Sequence, residues 1–411
     1  MKKEKSIRLP RIFVSAYGCE PNKGSEIGVG WHWIVEMSKY FELWVMTRAS
    51  NKQNIENYLT ENPIKSEIHF VYFDLPGKLR FWKKGLRGVR LYYNLWQIFS
   101  DKLVKKTMIE NNIGTYHLLT YGNAFWKASS YGTKQRFIWG PTGGMDTIPT
   151  EFSKRYGTKQ RFLEFVRRWA VKTIRLNGGF QKKCKRADII FCKTGNMYNA
   201  ISDKYKNKAM VFTDVAVEKR DIDIKEIKRK SITKYVAAGR LDGWRGFDIL
   251  IEAFNEALRE NGNIVLEILG EGDDRKRLEK IIAKHGLGDK VSLTGKVGRE
   301  VYEKKMEEAD VVVNPNLKEG GVTVAFDSIA FGKPLICIDT GGYTRNFSHD
   351  SVCILSMQSS KLLIGELKKS ILFLADSDNR KKMQEKILRE QEKLSWEQKG
   401  REIFNIIDKL L

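Results

Sequence analysis

The stretch Asp310-Val-Val-Val-Asn-Pro-Asn-Leu-Lys-Glu319-Gly-Gly-Val-Thr-Val-Ala-Phe-Asp327-Ser-Ile-Ala-Phe-Gly-Lys-Pro334-Leu-Ile-Cys-Ile338 joins two apolar runs through a glycine-opened, helix-periodic segment. Asp310–Val313 reads as a buried parallel strand. Gly320 and Gly321 open a helix pattern beginning at Val322, Gly332-Lys-Pro334 closes it, and Leu335–Ile338 is the next strand. In such a βαβ unit the glycines let a ligand approach the backbone, and the free N–H groups of the helix start attract phosphate. Glu319 sits at the mouth, where a sugar would hang from that phosphate. Asp327 follows eight residues later, about two turns down a helix of ~3.6 residues per turn, and would reach back to ribose hydroxyls. Two carboxylates around a phosphate-binding helix end suggest a nucleotide-sugar site. A charge favouring the helix dipole plus a solvated Asp is the plainer alternative.

Working outward, the second half alternates strands at Lys234–Ala238, Val265–Leu269, Val291–Gly295, Asp310–Asn314, Pro334–Ile338 and Val352–Leu355 with helices such as Phe247–Arg259. The first half does the same, with strands at Arg11–Ala16, Phe41–Thr47, Ile68–Phe73, Thr115–Thr120, Arg136–Gly140, Ala187–Lys193 and Ala209–Thr213. Its main helix patterns are Glu26–Tyr40, Lys84–Asn111 and Arg161–Lys183. Two successive βα alternations imply an α/β chain of two doubly wound, Rossmann-like parallel-sheet domains facing each other across a cleft. The expected boundaries are 1–213, a charge-rich linker over 214–231, and 232–394.

With 411 residues and 42% hydrophobic content, the chain can fill two cores. Met1 to Pro10 is basic and polar, unlike a secretory leader, and no run approaches the roughly 18 apolar residues of a membrane span. The five cysteines and five histidines show no metal-ligand spacing, which fits a reduced, cytoplasmic protein without a metal or other cofactor. Net charge is +23 and unevenly spread: residues 1–210 hold 38 basic and 16 acidic residues, or +22, leaving 35 and 34, or +1, for the rest. Such asymmetry points to an anionic surface met by the first half.

Gly239-Arg240-Leu-Asp-Gly-Trp-Arg245-Gly246 follows a strand and leads into a helix. Two arginines on such a loop would fork onto a diphosphate; surface arginines in a βα turn are the alternative. Gly270 and Val297, at the ends of the next two strands, would line a base pocket or form plain turns. In the first half, Tyr17–Trp31 joins strand to helix, with Ser25 as a candidate N-cap and Gly24 free to press against a phosphate. Gly143 and Gly144 lie in a second glycine loop, Gly140–Asp146. His117 lies within a strand, where a histidine is more often a satisfied core residue than a catalyst. Asp221-Ile-Asp223 has the form of a metal-diphosphate motif but sits in a charge run with no strand before it, and is expected to be solvated.

In this order, the loop Pro21–Trp31, Gly140–Gly144, Gly239-Arg240 with Arg245-Gly246, the Glu319…Asp327 pair with Gly332-Lys-Pro334, and Ser395-Trp-Glu397 resemble the retaining glycosyltransferases of family 4, whose fold is called GT-B. The resemblance covers nearly the whole chain. It implies a nucleotide-sugar donor held by Arg240 and Arg245 at the diphosphate, by Glu319 at the sugar and by Asp327 at the ribose. It also places His117 near the reacting sugar carbon, the acceptor on the first domain, and a final helix, about 395–411, crossing back onto that domain. The chain departs from the family's pattern in three places: Arg245 stands for Lys, Asp327 for Glu, and Gly321 for an aromatic. The activity implied is sugar transfer with retention, in cell-surface polysaccharide or lipid-linked glycan synthesis, without a metal.

A nucleotide-sugar epimerase on the same fold and a nucleic-acid binder are the rivals. The second lacks any helix-turn-helix, zinc or single-strand motif, so no nucleic-acid partner is expected. The partners expected are the donor, a glycan or lipid-linked acceptor, and an anionic membrane on the inner face of the plasma membrane. Phe81–Trp96 interleaves aromatics with cations as interfacial segments do. Arg161-Phe-Leu-Glu-Phe-Val-Arg-Arg-Trp169 has the same character. Ordinary helices that bury their aromatics would show the same composition.

Overall fold

The computed structural model describes residues 9–79, 82, 88–129, 135–222, 231–318 and 322–411. All thirteen expected strands are present. β1 (Arg11–Ser15), β2 (Glu42–Arg48), β3 (Ile68–Phe73), β4 (Thr115–Leu118), β5 (Arg136–Thr142), β6 (Ile189–Cys192) and β7 (Ala209–Val211) form one sheet in the order 3-2-1-4-5-6-7. β8 (Thr233–Ala238), β9 (Ile264–Leu269), β10 (Val291–Gly295), β11 (Val311–Asn314), β12 (Leu335–Ile338) and β13 (Val352–Leu355) form a second in the order 10-9-8-11-12-13. Neighbouring strands pair in parallel. Strand order reverses between β1 and β4 and between β8 and β11. Loops there splay apart at the carboxyl ends of the strands, which is where doubly wound sheets bind ligands.

The chain divides into two compact units. The first comprises Met1–Met145, Thr173–Asp214 and Lys399–Leu411; the second comprises Asp146–Lys172 and Val215–Gln398. Asp146–Lys172, expected in the first domain, therefore belongs with the second. Side-chain chemistry explains the exchange. Arg155 reaches the buried Asp248 carboxylate at 2.8 Å, Glu252 at 2.7 Å and Ser360 Oγ at 2.9 Å. The Tyr156 ring lies against Gly243, where a Cβ would come within 2.6 Å. The helix Trp396–Asp408 spans the division, and its later residues stay in the first unit, Phe404 stacking on Tyr40 at 4.8 Å and Lys399 donating to Thr213 O at 2.9 Å.

Two helix patterns are interrupted. Lys84–Asn111 becomes the helices Val89–Phe99 and Asp101–Glu110, separated at Ser100. Arg161–Lys183 becomes Thr158–Lys172, a short turn Ile174–Leu176 and Gly178–Arg186, with Asn177 capping the last through Phe180 N. The expected lipid-facing aromatics of Phe81–Trp96 are corrected where described: Tyr92, Tyr93 and Trp96 are core residues, and Trp96 Nε1 donates to Phe73 O at 2.8 Å. Phe81 and residues 83–87 lie outside the described residues. So does 223–230 of the linker, including Asp223, while Asp221 is exposed. No helix among the described residues is long and apolar enough to cross a membrane.

Candidate active site

In the second unit, Gly239 directly follows β8, and the loop returns through the tight turn Gly243–Arg245 to Gly246. Gly246 has φ +68°, and a Cβ there would come within 2.1 Å of Pro315 O, so only glycine lets this loop close onto the end of β11. That closure carries Arg245 inward. Its guanidinium lies against Gly239, whose imagined Cβ would stand 3.4 Å from Cζ. It stacks on Trp244 at 4.3 Å, and Nη1 donates to Asn316 Oδ1 at 3.4 Å. Asn316 in turn donates to Asn314 Oδ1 at 2.6 Å, and Asn314 to Tyr343 Oη at 2.8 Å. This buried polar chain links the end of β11 to the short turn Tyr343–Asn346 that follows β12.

Arg245 Nε has no hydrogen-bond partner, and no carboxylate among the described residues ion-pairs with the guanidinium. Burial lowers its pKa to about 10, against the opposing charge of Asp242. A cation in that state is set up for an anion. Arg240 differs: it is exposed and pairs with Asp242 at 2.7 Å. Lys318 adds a second enclosed cation, 5.0 Å from the Trp244 ring and 2.8 Å from Glu164 Oε1.

Gly270 directly follows β9 beside Gly239, so close that a Cβ would meet Gly239 O at 1.9 Å. Val297 is half-buried in the loop after β10, and Val322 begins the helix Val322–Ala330. Asp327 on that helix accepts from Tyr302 Oη at 2.7 Å. Burial raises its carboxyl to about 6, with the Tyr302 hydrogen bond and the Arg299 charge pulling the other way. Glu319, Gly320 and Gly321 lie outside the described residues.

In the first unit, His117 is inside the core. Its Nε2 lies 2.6 Å from Gly140 O, Nδ1 has no partner, and burial lowers its pKa to about 4. The ring is neutral at pH 7 and enclosed by Trp33 and Phe191. Gly24 is exposed at the N-cap position of the helix Ser25–Ser38, with open space where a Cβ would point. Ser25, the expected cap, makes no capping bond and has φ +58° instead. Gly143 and Gly144 are tied to the loop after β4: Gly143 N donates to Gly122 O at 3.0 Å, and a Cβ on Gly144 would meet the Asn123 side chain at 2.6 Å.

Beside Gly143 lies a charge cluster that no motif announced. Lys193 reaches Asp214 at 2.6 Å and Glu26 at 3.6 Å, and Glu26 accepts from Tyr121 N at 2.8 Å. Burial alone would lower the Lys193 ammonium, but Asp214 and Glu26 together hold it above the usual lysine range. Tyr121 adopts φ +56°, a left-handed conformation uncommon for an aromatic residue. The available signal was positional, since Lys193 directly follows β6 at its carboxyl end. A different cluster, Glu42, Glu67 and His69, has metal-ligand spacing. It sits at the amino ends of β2 and β3, where Arg11 pairs with Glu42 at 2.8 Å.

Two parallel sheets of this order, each gathering charged groups at its carboxyl edge, make the GT-B class of fold. Residues 218–389 match the family described as Glycosyl transferases group 1. The chain is similar to MJ1607, an uncharacterized glycosyltransferase of Methanocaldococcus jannaschii, with 35% identity over 112 residues, 27% of this chain and 28% of that protein. It is similar to alpha-D-kanosaminyltransferase of Streptomyces kanamyceticus, with 29% identity over 137 residues, 33% of this chain and 35% of that protein. The chain thus spans about a third of the length of these relatives. Among solved structures, HepE of Anabaena in complex with UDP superposes with a TM-score of 0.59 at 13% identity, over 98% of this chain and 100% of that one. At that identity the likeness concerns the fold.

Proposed function

We propose that the chain is a retaining glycosyltransferase of the family 4 type, moving a hexosyl group from a nucleotide diphosphate sugar to an acceptor hydroxyl. The observation that carries this reading is Arg245, an enclosed guanidinium with an unpartnered Nε at the carboxyl end of β8. A diphosphate there would gain a fixed, desolvated cation, with Arg240 reaching from the exposed side once Asp242 gives way. The acceptor oxygen attacks the anomeric carbon from the face the nucleotide leaves. The bond from that carbon to the phosphate oxygen breaks, and the departing phosphate takes the acceptor's proton. Arg245, Arg240 and the backbone at the start of the helix after Glu319 stabilise the charge on the leaving group. Asp327 would address the ribose, and Glu319 the sugar.

The similarity of residues 218–389 to group 1 glycosyl transferases supports this reading, as does the UDP seen with HepE. The acceptor is proposed to be a glycan or lipid-linked sugar of cell-surface polysaccharide synthesis, met at the inner face of an anionic membrane. An epimerase would draw on histidine acid/base chemistry, which the buried, neutral His117 does not favour. Turnover of an α-linked donor in excess EDTA, followed by NMR of the product, is expected to give an α-linked product at undiminished rate. A β product or complete loss of activity in EDTA would count against it.

A further inference from the structure

The helix Thr158–Lys172 is packed with its polar side inward. Glu164, the helix's acidic residue, is buried and pairs with Lys318 at 2.8 Å. Arg167 Nε donates to Asp146 O at 2.8 Å, and Arg168 Nη2 to Ile148 O at 2.9 Å. The opposite face carries Phe162, Phe165 and Trp169, each 65% exposed, with Leu163 and Val166 beside them. Phe162, Phe165, Val166 and Trp169 stand at the spacing that forms one helical stripe, which a surface helix ordinarily turns into the core. Here hydrogen bonds donated by the arginines hold the helix the other way round, and the stripe is left exposed. Lys159, Arg161 and Lys172 are exposed on the same helix, and no acidic side chain of the helix accompanies them.

We propose that this face is an insertion surface for an anionic phospholipid bilayer, with the aromatic stripe in the headgroup boundary and the three cations against lipid phosphates. Apolar area joined to unopposed cations is the chemistry of an interfacial helix. A second copy of the chain fits less well, because facing copies would set these cations against one another. The surface goes beyond the sugar-transfer reading and relies on it only for the expectation that the acceptor is lipid-linked.

The test is flotation of the full chain with phosphatidylglycerol–phosphatidylcholine vesicles and with pure phosphatidylcholine vesicles over a salt series. The chain should bind the anionic vesicles, less so as salt rises. The triple variant Phe162→Ser/Phe165→Ser/Trp169→Ser should lose roughly tenfold or more of that binding while keeping its melting temperature. Arg161→Gln/Lys172→Gln should weaken anionic binding by about tenfold or more and flatten its salt dependence. Undiminished binding by the triple variant, equal binding to both vesicle types, or no binding by the parent chain would overturn the proposal. So would a parent dimer in sedimentation that the triple variant dissociates, which would assign the face to a second copy. Nucleoside diphosphate affinity, measured on the same samples, is the separate readout. The triple variant should keep it, and its absence from all samples would fault the sugar-transfer reading while leaving the vesicle result standing.

Discussion

Arg245 and Asp327 are both charged groups that folding moves out of water, and each is held at a cost in stability. For Asp327 the sign can be followed with pH. Its folded value of about 6 lies above the ordinary 3.8, so the folded chain takes up this proton before the unfolded chain does. Stability from this group is therefore lowest above pH ~6 and rises as pH falls toward ~4, by an amount on the order of 2–3 kcal/mol. Asp327→Asn should melt higher than the parent at pH 8, with the gap closing by pH 4, and should bind nucleoside diphosphate more weakly. A variant that is no more stable at pH 8, with unchanged nucleotide affinity, would remove the ribose role. At this scale the sequence showed which arginines and carboxylates to examine, but not their states. Whether Arg240 or Arg245 loses its water depends on Trp244, Asn316 and Gly239 closing around one of them. The Lys193–Glu26–Asp214 cluster was illegible for the same reason, since its members come from the first turn of one helix and from two separate loops.

Elements were the most legible level, and for a physical reason. Strands buried on both faces read as continuous apolar runs, as Val311–Asn314 and Leu335–Ile338 do, and all thirteen strands were placed, including mixed ones such as Val291–Gly295. Helix ends were less legible because they are settled by local caps and turns, such as the break at Ser100 and the Asn177 cap. The inward-facing charges of Thr158–Lys172 show the limit of pattern reading: the period was right, and the buried face was the one that composition would place outside. The loop Gly239–Gly246 is the element on which the site depends. Gly246→Ala would place a methyl group against Pro315 O at a left-handed φ, and should destabilise the chain by about 1–3 kcal/mol while displacing Arg245. Denaturant unfolding together with turnover measures both. Parent-like stability and activity in Gly246→Ala would mean that the loop does not need this closure.

For the whole molecule, the two units divide the properties that the sequence reported as a charge imbalance. The first carries most of the cationic excess, and the second carries the loop that encloses Arg245. Exchange of Asp146–Lys172 between them was not legible, because it rests on Arg155 finding Asp248 and Glu252 across about a hundred residues of chain, at 2.8 and 2.7 Å. The central claim is that a nucleoside diphosphate occupies the second unit at Arg245. Isothermal titration of nucleoside diphosphates into the parent chain and into Arg245→Ala, both in EDTA, tests it directly. The parent should bind at least one of them at a single site, and Arg245→Ala should bind it roughly ten- to a hundredfold more weakly, the scale of a lost charge-assisted hydrogen bond. Equal affinity in both chains, or no nucleotide bound by the parent, would contradict the account.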